Sequence, residues 1–197
     1  MSSQSPSKHR VVTAAQQAIF LGELRSLLQR CFASFEAYNA AISKPDSKIA
    51  ELYVHLDTVL DCAAAISRVL HPAKDGKPGA ASKRRAARGA ALRGLIGAEV
   101  AKPFAGRKLR EFLAERDVQL DRWAETAPPG AVVRGIASDG SDAATAAFFD
   151  RIETQAKTYR FPGGEVDLQA LATALSALGE RVATLQRTPN SLRDVET

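Results

Sequence analysis

The residues with the clearest capacity for chemistry lie in one segment, 107–123, which reads RKLREFLAERDVQLDRW. Its apolar residues recur at helical spacing and predict an amphipathic helix over about 107–125: Leu109, Phe112, Leu113, Leu120 and Trp123. Arg116 falls in the middle of this apolar stripe. A guanidinium on the packed face of a helix needs a partner, because burying it unpaired is costly.

Three interpretations of Arg116 follow from the residues alone. It forms an internal or dimer-interface ion pair, with Asp57 or Asp61 of an earlier helix as partner. Alternatively, it binds an anionic ligand, or its long side chain extends to solvent. A second polar flank of the same helix is formed by Arg110, Asp117 and Asp121.

Positive charge is concentrated between residues 74 and 110. The whole chain has a formal net charge of +5, yet this segment holds eleven Lys and Arg against only Asp75 and Glu99. Such a concentration is typical of proteins that bind RNA, DNA or a nucleotide, although a solvated helix face paired with the protein's own acidic helices gives the same pattern. Arg85 and Arg88 precede Leu92 by about two turns and one turn, so we expect Arg88 at the edge of the core.

The common catalytic and metal-binding patterns do not occur in the sequence. His9, His55 and His71 lack metal-ligand spacing, and Gly163-Gly164 lacks the context of a phosphate-binding loop. The two cysteines, Cys31 and Cys62, lie in apolar helical segments and are predicted to be buried, reduced thiols. We therefore expect no metal site and no cofactor.

The elements that position these residues are predicted to be mainly helical. Apolar periodicity predicts two long helices over 11–42 and 47–70, which their short connection makes antiparallel neighbours. A third helix over 83–98, the helix over 107–125 and a last helix over about 168–187, capped by Asp167, complete an antiparallel bundle of about five helices. A short extended segment is expected near 131–136. A small β-hairpin at about 147–161 precedes the last helix, and PGG at 162–164 predicts a turn.

The predicted domain organisation is simple. Residues 1–10 form a flexible tail without an apolar signal core, residues 11–187 a single helical domain with a basic loop at 73–82, and residues 188–197 a frayed end. No stretch has the roughly 20 apolar residues of a membrane span. A cytoplasmic protein without membrane contact is therefore expected.

The order of these elements and the letters of 107–123 resemble the HEPN superfamily of helical proteins and its bacterial relatives of similar length. The resemblance covers about residues 15–125. In that superfamily the last bundle helix carries an arginine, usually followed by a polar residue, and a histidine four to six residues after the arginine; paired across a dimer, they form an RNA-cleaving site. Here Leu109-Arg110 matches the start of that motif, Glu111 stands at the polar position and Glu115 at the histidine position. The continuation is matched by Asp117, Leu120, Asp121 and Trp123.

The departures from that motif predict a catalytically silent relative. A histidine titrates near neutrality and can exchange protons during phosphodiester cleavage. A glutamate at position 115, between Arg110 and Arg116, is expected to stay ionised. Glu111 adds negative charge where a phosphate would approach.

We therefore expect a non-catalytic helical module for binding or assembly, a homodimer through its helical faces, that binds RNA, a nucleotide or an acidic partner. The expected contact residues are Arg85, Arg88, Arg116 and Asp117. One alternative is a divergent HEPN-type ribonuclease or nucleotide-processing enzyme using Arg110 and Glu115. Convergence of Arg110, Glu115 and Arg116 from two protomers on one concave site would support it, and a Glu115 on the open surface would contradict it. A second alternative is a purely structural interaction protein.

Overall fold

A computed structural model describes residues 12–44, 48–73, 79–137 and 147–188. Within these ranges the chain is mainly helical, as predicted, and carries one four-stranded sheet. The elements are α1 Ala14–Ile42, α2 Ile49–Leu70, α3 Ala80–Ile96, α4 Ala98–Ala101, a 3-10 helix Lys102–Ala105, α5 Lys108–Ala114, α6 Arg116–Ala124, β1 Val132–Ala137, β2 Phe148–Glu153, β3 Thr158–Phe161, β4 Gly164–Asp167 and α7 Leu168–Arg187. The expected count of five helices is too low, because α4 is additional and the fourth predicted helix is divided.

The antiparallel pair α1 and α2 supplies half of the residues of the buried core. Thr13 caps α1 by accepting a hydrogen bond from the Gln16 N–H, and the Gln16 side chain accepts one from the Thr13 N–H in return. Both helices bury most of their regularly spaced apolar residues, whereas Ile49, the first residue of α2, is 45 % exposed. Both cysteines are buried and free, as predicted, and the Cys31 thiol points at the Val59 carbonyl, 3.8 Å away.

The sheet has the order β1-β2-β3-β4. The predicted hairpin is confirmed as the antiparallel pair β2 and β3, with Ile152 opposite Tyr159. The expected extended segment is β1, which pairs parallel to β2. β4 was missed: PGG predicts only a turn, whereas Gly163, with φ of 83°, reverses the chain so that Val166 pairs with Tyr159.

The last helix, α7, occupies its predicted range and begins at its predicted cap. Asp167 accepts a hydrogen bond from the Ala170 N–H at 2.8 Å. α7 packs on α1, and a Cβ at Gly179 would lie 3.3 Å from the Phe32 ring. It also holds the end of α3, because Arg181 donates to the carbonyls of Leu95 and Ile96 at 2.7 and 3.2 Å.

Glu115 interrupts the predicted helix of 107–125. Its φ of −121° and ψ of 20° are not helical, so α5 ends at Ala114 and α6 begins at Arg116. The prediction of one continuous helix is wrong. A straight helix would aim Arg116 along the apolar stripe, whereas the bend lets it meet a carboxylate on β2.

Several predicted segments lie outside the described residues: the tail 1–10, the middle of the basic loop (residues 74–78 of 73–82) and nearly all of 188–197. The described end of that loop corrects its boundary, because α3 already begins at Ala80. α3 ends at Gly97, whose φ of 101° turns the chain into α4.

Candidate functional site

Arg116 belongs to an internal ion cluster made of Asp57, Arg116, Arg134 and Asp150. The Asp150 side chain is fully buried, and its Oδ2 accepts a hydrogen bond from Arg116 Nη2 at 2.9 Å. The partner expected for Arg116, Asp57 or Asp61 on α2, is wrong, because the bend at Glu115 directs the guanidinium to β2 instead. Arg116 also lies over the Phe149 ring, 5.4 Å from its centre.

The second half of this cluster joins β1 to α2. Arg134 binds both Asp57 oxygens, at 2.9 and 3.1 Å, and its Nε lies 3.9 Å from Asp150 Oδ1. Burial disfavours the charged form of Arg134, but its hydrogen bonds and charge interaction with Asp57 outweigh burial and raise its pKa. Two cations and two anions neutralise each other here, so the internal ion cluster joins α2, α6, β1 and β2.

Three other arginines bind the carboxyl end of α2. Arg88 donates to the Arg68 carbonyl at 3.3 Å, Arg93 to the Leu70 carbonyl, and Arg110 to the His71 carbonyl. Cations are favourable at this end of a helix, where carbonyl groups lack helical partners. These bonds satisfy the helix end but leave the three positive charges unneutralised.

A hollow of about 370 Å³ lies between the first turns of α1 and the first half of α3. We call it the α3 groove; its lining residues are Val12, Gln16, Phe20, Ala81, Arg84, Arg85, Ala87 and Arg88. Arg88 lies over the Phe20 ring, with its guanidinium carbon 4.7 Å from the ring centre. The expectation that Arg88 lies at the edge of the core is confirmed, since it is half-buried there.

A second hollow, of about 320 Å³, lies at the other side of α3, against the end of α2. We call it the α2-end pocket; it is lined by His71, Pro72, Ala73, Ser82, Ala86, Arg93, Ala105, Arg107 and Arg110. Neither hollow has an Asp or Glu in its lining. We refer to the two together as the basic face.

The arginines of the basic face crowd one another. Burial lowers the pKa of Arg88, and the nearby charge of Arg85 lowers it further. Burial and the charge of Arg107 likewise lower the pKa of Arg110, and the nearby Glu111 opposes them with a smaller effect. Repulsion among neighbouring cations is the electrostatic condition that a bound anion relieves.

The residues of the predicted catalytic alternative do not converge in the described chain. Arg110 is only 6 % exposed and faces α2, whereas Glu115 is exposed at the bend between α5 and α6. Asp117 is exposed, and within the described ranges it forms no ion pair. The predicted shared flank of Arg110, Asp117 and Asp121 is wrong, because the bend separates α5 from α6.

Sequence reasoning missed Phe20 as a groove residue and did not single out Arg84, Arg93 or Arg107. All three arginines belong to the basic segment that composition identifies. Which of them meet in one hollow depends on how α3 crosses α2, and nothing local in the sequence sets that crossing except Gly89.

No known family model matches the chain, and no curated protein or solved structure matches it either. Within the described ranges, no three His, Cys, Asp or Glu side chains are grouped so as to hold a metal ion. Among the described helices, none has the length and apolar character needed to cross a bilayer. The function is thus inferred from the geometry of the basic face.

Proposed function

We propose that the protein is a non-catalytic helical binding module whose basic face takes a phosphate-bearing ligand, in the first instance RNA. One observation carries this proposal: six arginines line two hollows flanking α3, and no carboxylate lines either hollow. Guanidinium groups match phosphate oxygens in charge and in hydrogen-bond geometry. The segment's surplus of positive charge, noted from the sequence, supplies the attraction at longer range.

The positions of Arg110 and Glu115 support the non-catalytic part of the proposal. The Arg110 guanidinium donates through Nη1 to the His71 carbonyl and to Ser67 Oγ, so these bonds hold it against the end of α2. Glu115 is exposed at the bend between α5 and α6, outside the lining of either hollow of the basic face. The resemblance to HEPN proteins stays a prediction.

The test measures binding of a fluorescent single-stranded RNA by anisotropy across a salt series. Arg84 and Arg107 are the residues to change, because both are exposed, each lines one hollow, and neither forms an ion pair within the described part of the chain. We expect the double variant R84E/R107E to bind at least about tenfold more weakly than wild type. The matched control, R30E/R122E, changes two exposed arginines outside the basic face and alters net charge equally.

Two results would overturn this proposal: no binding by wild type at low salt, or an equal loss in the control. Wild-type affinity should fall with a log–log slope of about −0.7 per phosphate contact. Displacement of the RNA by polyglutamate at equal charge concentration would instead assign the face to an acidic protein.

The same samples test for cleavage. We expect the RNA to be recovered intact, and cleavage that E115Q abolishes would restore the ribonuclease alternative.

We also propose a homodimer, as the amphipathic helices suggested. Large apolar side chains remain exposed on four elements of the described chain: Ile19 on α1, Ile49 and Val54 on α2, Val118 on α6, and Val132 and Val133 on β1. Sedimentation velocity at two concentrations measures the assembly state. A monomer at micromolar concentration would contradict this part of the proposal without affecting the basic face.

A further inference from the structure

We infer that the α3 groove binds an unpaired nucleobase, so that the ligand of the basic face is a nucleotide unit with its base free, as in a single strand or a mononucleotide. This inference rests on the proposed function and narrows its ligand class. It would exclude a duplex, whose bases are stacked and paired, and a bare polyphosphate, which has no base.

The first support is a stacking platform inside the groove. Phe20 is half-buried, lines the groove, and has the Arg88 guanidinium 4.7 Å from its ring centre. Arg88 is held in place, since its Nη2 donates to the Arg68 carbonyl at 3.3 Å. Aromatic rings and guanidinium planes are the two side-chain surfaces on which proteins stack unpaired bases.

The second support is the composition of the groove. Its volume of about 370 Å³ is in the range of small-molecule sites, and Val12, Ala81 and Ala87 give it apolar walls around Phe20. Gln16 adds a polar group: its Oε1 accepts from the Thr13 N–H at 3.1 Å, while within the described chain its Nε2 makes no hydrogen bond. An apolar slot with one amide donor suits a base with a carbonyl or ring nitrogen at its edge.

The third support is the position of the groove relative to charge. Arg84 and Arg85 line it as exposed residues one turn before Arg88, so a phosphate attached to a bound base meets cations there. Farther along α1 the neighbouring helix is α7, where Arg25 Nη1 donates to the Gln186 side chain at 3.4 Å; beside the groove it is α3. The α2-end pocket, by contrast, has no aromatic side chain in its lining.

The experiment compares ligands of equal charge with and without bases. Wild-type protein is titrated with a fluorescent single-stranded RNA and with an abasic sugar–phosphate oligomer of the same length and charge. We expect the base-bearing single strand to bind about tenfold more tightly than the abasic oligomer. Phe20→Leu should remove this preference by weakening binding of the base-bearing strand to the level of the abasic oligomer. Phe32→Leu, a half-buried phenylalanine of the same helix that lines a different hollow, should keep it.

The outcomes separate the inference from the function it rests on. Equal binding of the abasic and base-bearing single strands by wild type overturns the inference and leaves phosphate binding standing. Binding of neither overturns both. A preference that survives in F20L also overturns the inference, because the platform is then not Phe20. Competition by AMP distinguishes a free nucleotide from a single strand as the natural ligand. Displacement of the RNA at micromolar AMP indicates a free nucleotide, and no displacement indicates a strand.

Discussion

Gly89 is the residue that lets α3 cross the end of α2. A Cβ at this position would lie 2.6 Å from Pro72 Cδ and 2.9 Å from the Leu70 carbonyl oxygen. Neither atom is the far end of a flexible side chain, so the helices would have to move apart. Two glycines, Gly89 and Gly94, weaken α3 as an isolated helix, and at Gly89 the close approach explains the choice.

Gly89→Ala is therefore expected to destabilise the protein by about 1–3 kcal/mol, although alanine is the better helix former. Urea unfolding followed by circular dichroism gives the free energy of unfolding. Gly94→Ala is the matched control in the same helix, because a Cβ there meets no atom within 4 Å. It should be neutral or stabilise by up to about 1 kcal/mol. Equal effects at the two positions would refute the steric explanation.

Asp150 is the residue on which the internal ion cluster depends. Asp150→Asn removes its charge with little change of shape and leaves Arg116 and Arg134 without their shared anion. We expect a loss of about 3 kcal/mol, toward the low end for a buried pair because both arginines are partly exposed and can turn to solvent. Asp117→Asn, on the exposed side of α6, should change stability by less than about 0.5 kcal/mol. A cost for D150N no larger than this would show that the cluster contributes little.

At the scale of elements, periodicity accounts for what the sequence predicts and for what it misses. The stripes of α1, α2 and α7 are long and regular, so their ranges follow from spacing to within three residues. The break at Glu115 does not, because no glycine or proline marks it, and the strand that Arg116 contacts is distant in sequence. β4 is four residues long and is defined by its pairing with β3, which is a non-local property. The concentration of arginines in this segment could be read from the sequence, but their distribution between two hollows could not.

The hairpin of β2 and β3 carries a pH-sensitive ion pair. Burial would raise the pKa of Glu153, but hydrogen bonds from Arg160 and Arg151 lower it below its usual 4.5. Because the folded pKa is the lower one, Glu153 stabilises the protein fully above pH 4.5, and this stabilisation is lost as the pH falls through the folded value.

Comparing Glu153→Gln with wild type at a series of pH values tests this. The difference in free energy of unfolding should be largest near neutrality and should shrink below about pH 4. Glu165→Gln removes a more exposed partner of Arg160 and serves as the control, with an expected effect under about 1 kcal/mol. A difference for E153Q that does not change with pH would contradict the assignment.

At the scale of the whole molecule, the core encloses both thiols. Burial, together with the neighbouring Cys62, raises the pKa of Cys31 to about 12, and burial also raises the pKa of Cys62. Thiolates are the reactive form, so the folded protein should react only when it opens. We expect a thiol reagent such as DTNB to label the protein at pH 8 at a rate that rises with urea in step with unfolding. Fast labelling of Cys62→Ser, which retains Cys31 alone, without denaturant would show that the core around α1 opens locally.

The arginines at the end of α2 constrain which residues of this chain can be substituted during evolution. Selection for folding alone would retain Arg88, Arg93 and Arg110, since each satisfies a carbonyl of α2 or of the residue that follows it. Much of the positive charge on this surface would then persist even in a descendant that had lost its ligand. Arg84 and Arg107 make no such bond, so in a lineage without the ligand we expect them to be substituted before the other three arginines. Their retention in related chains would therefore indicate that binding itself is under selection.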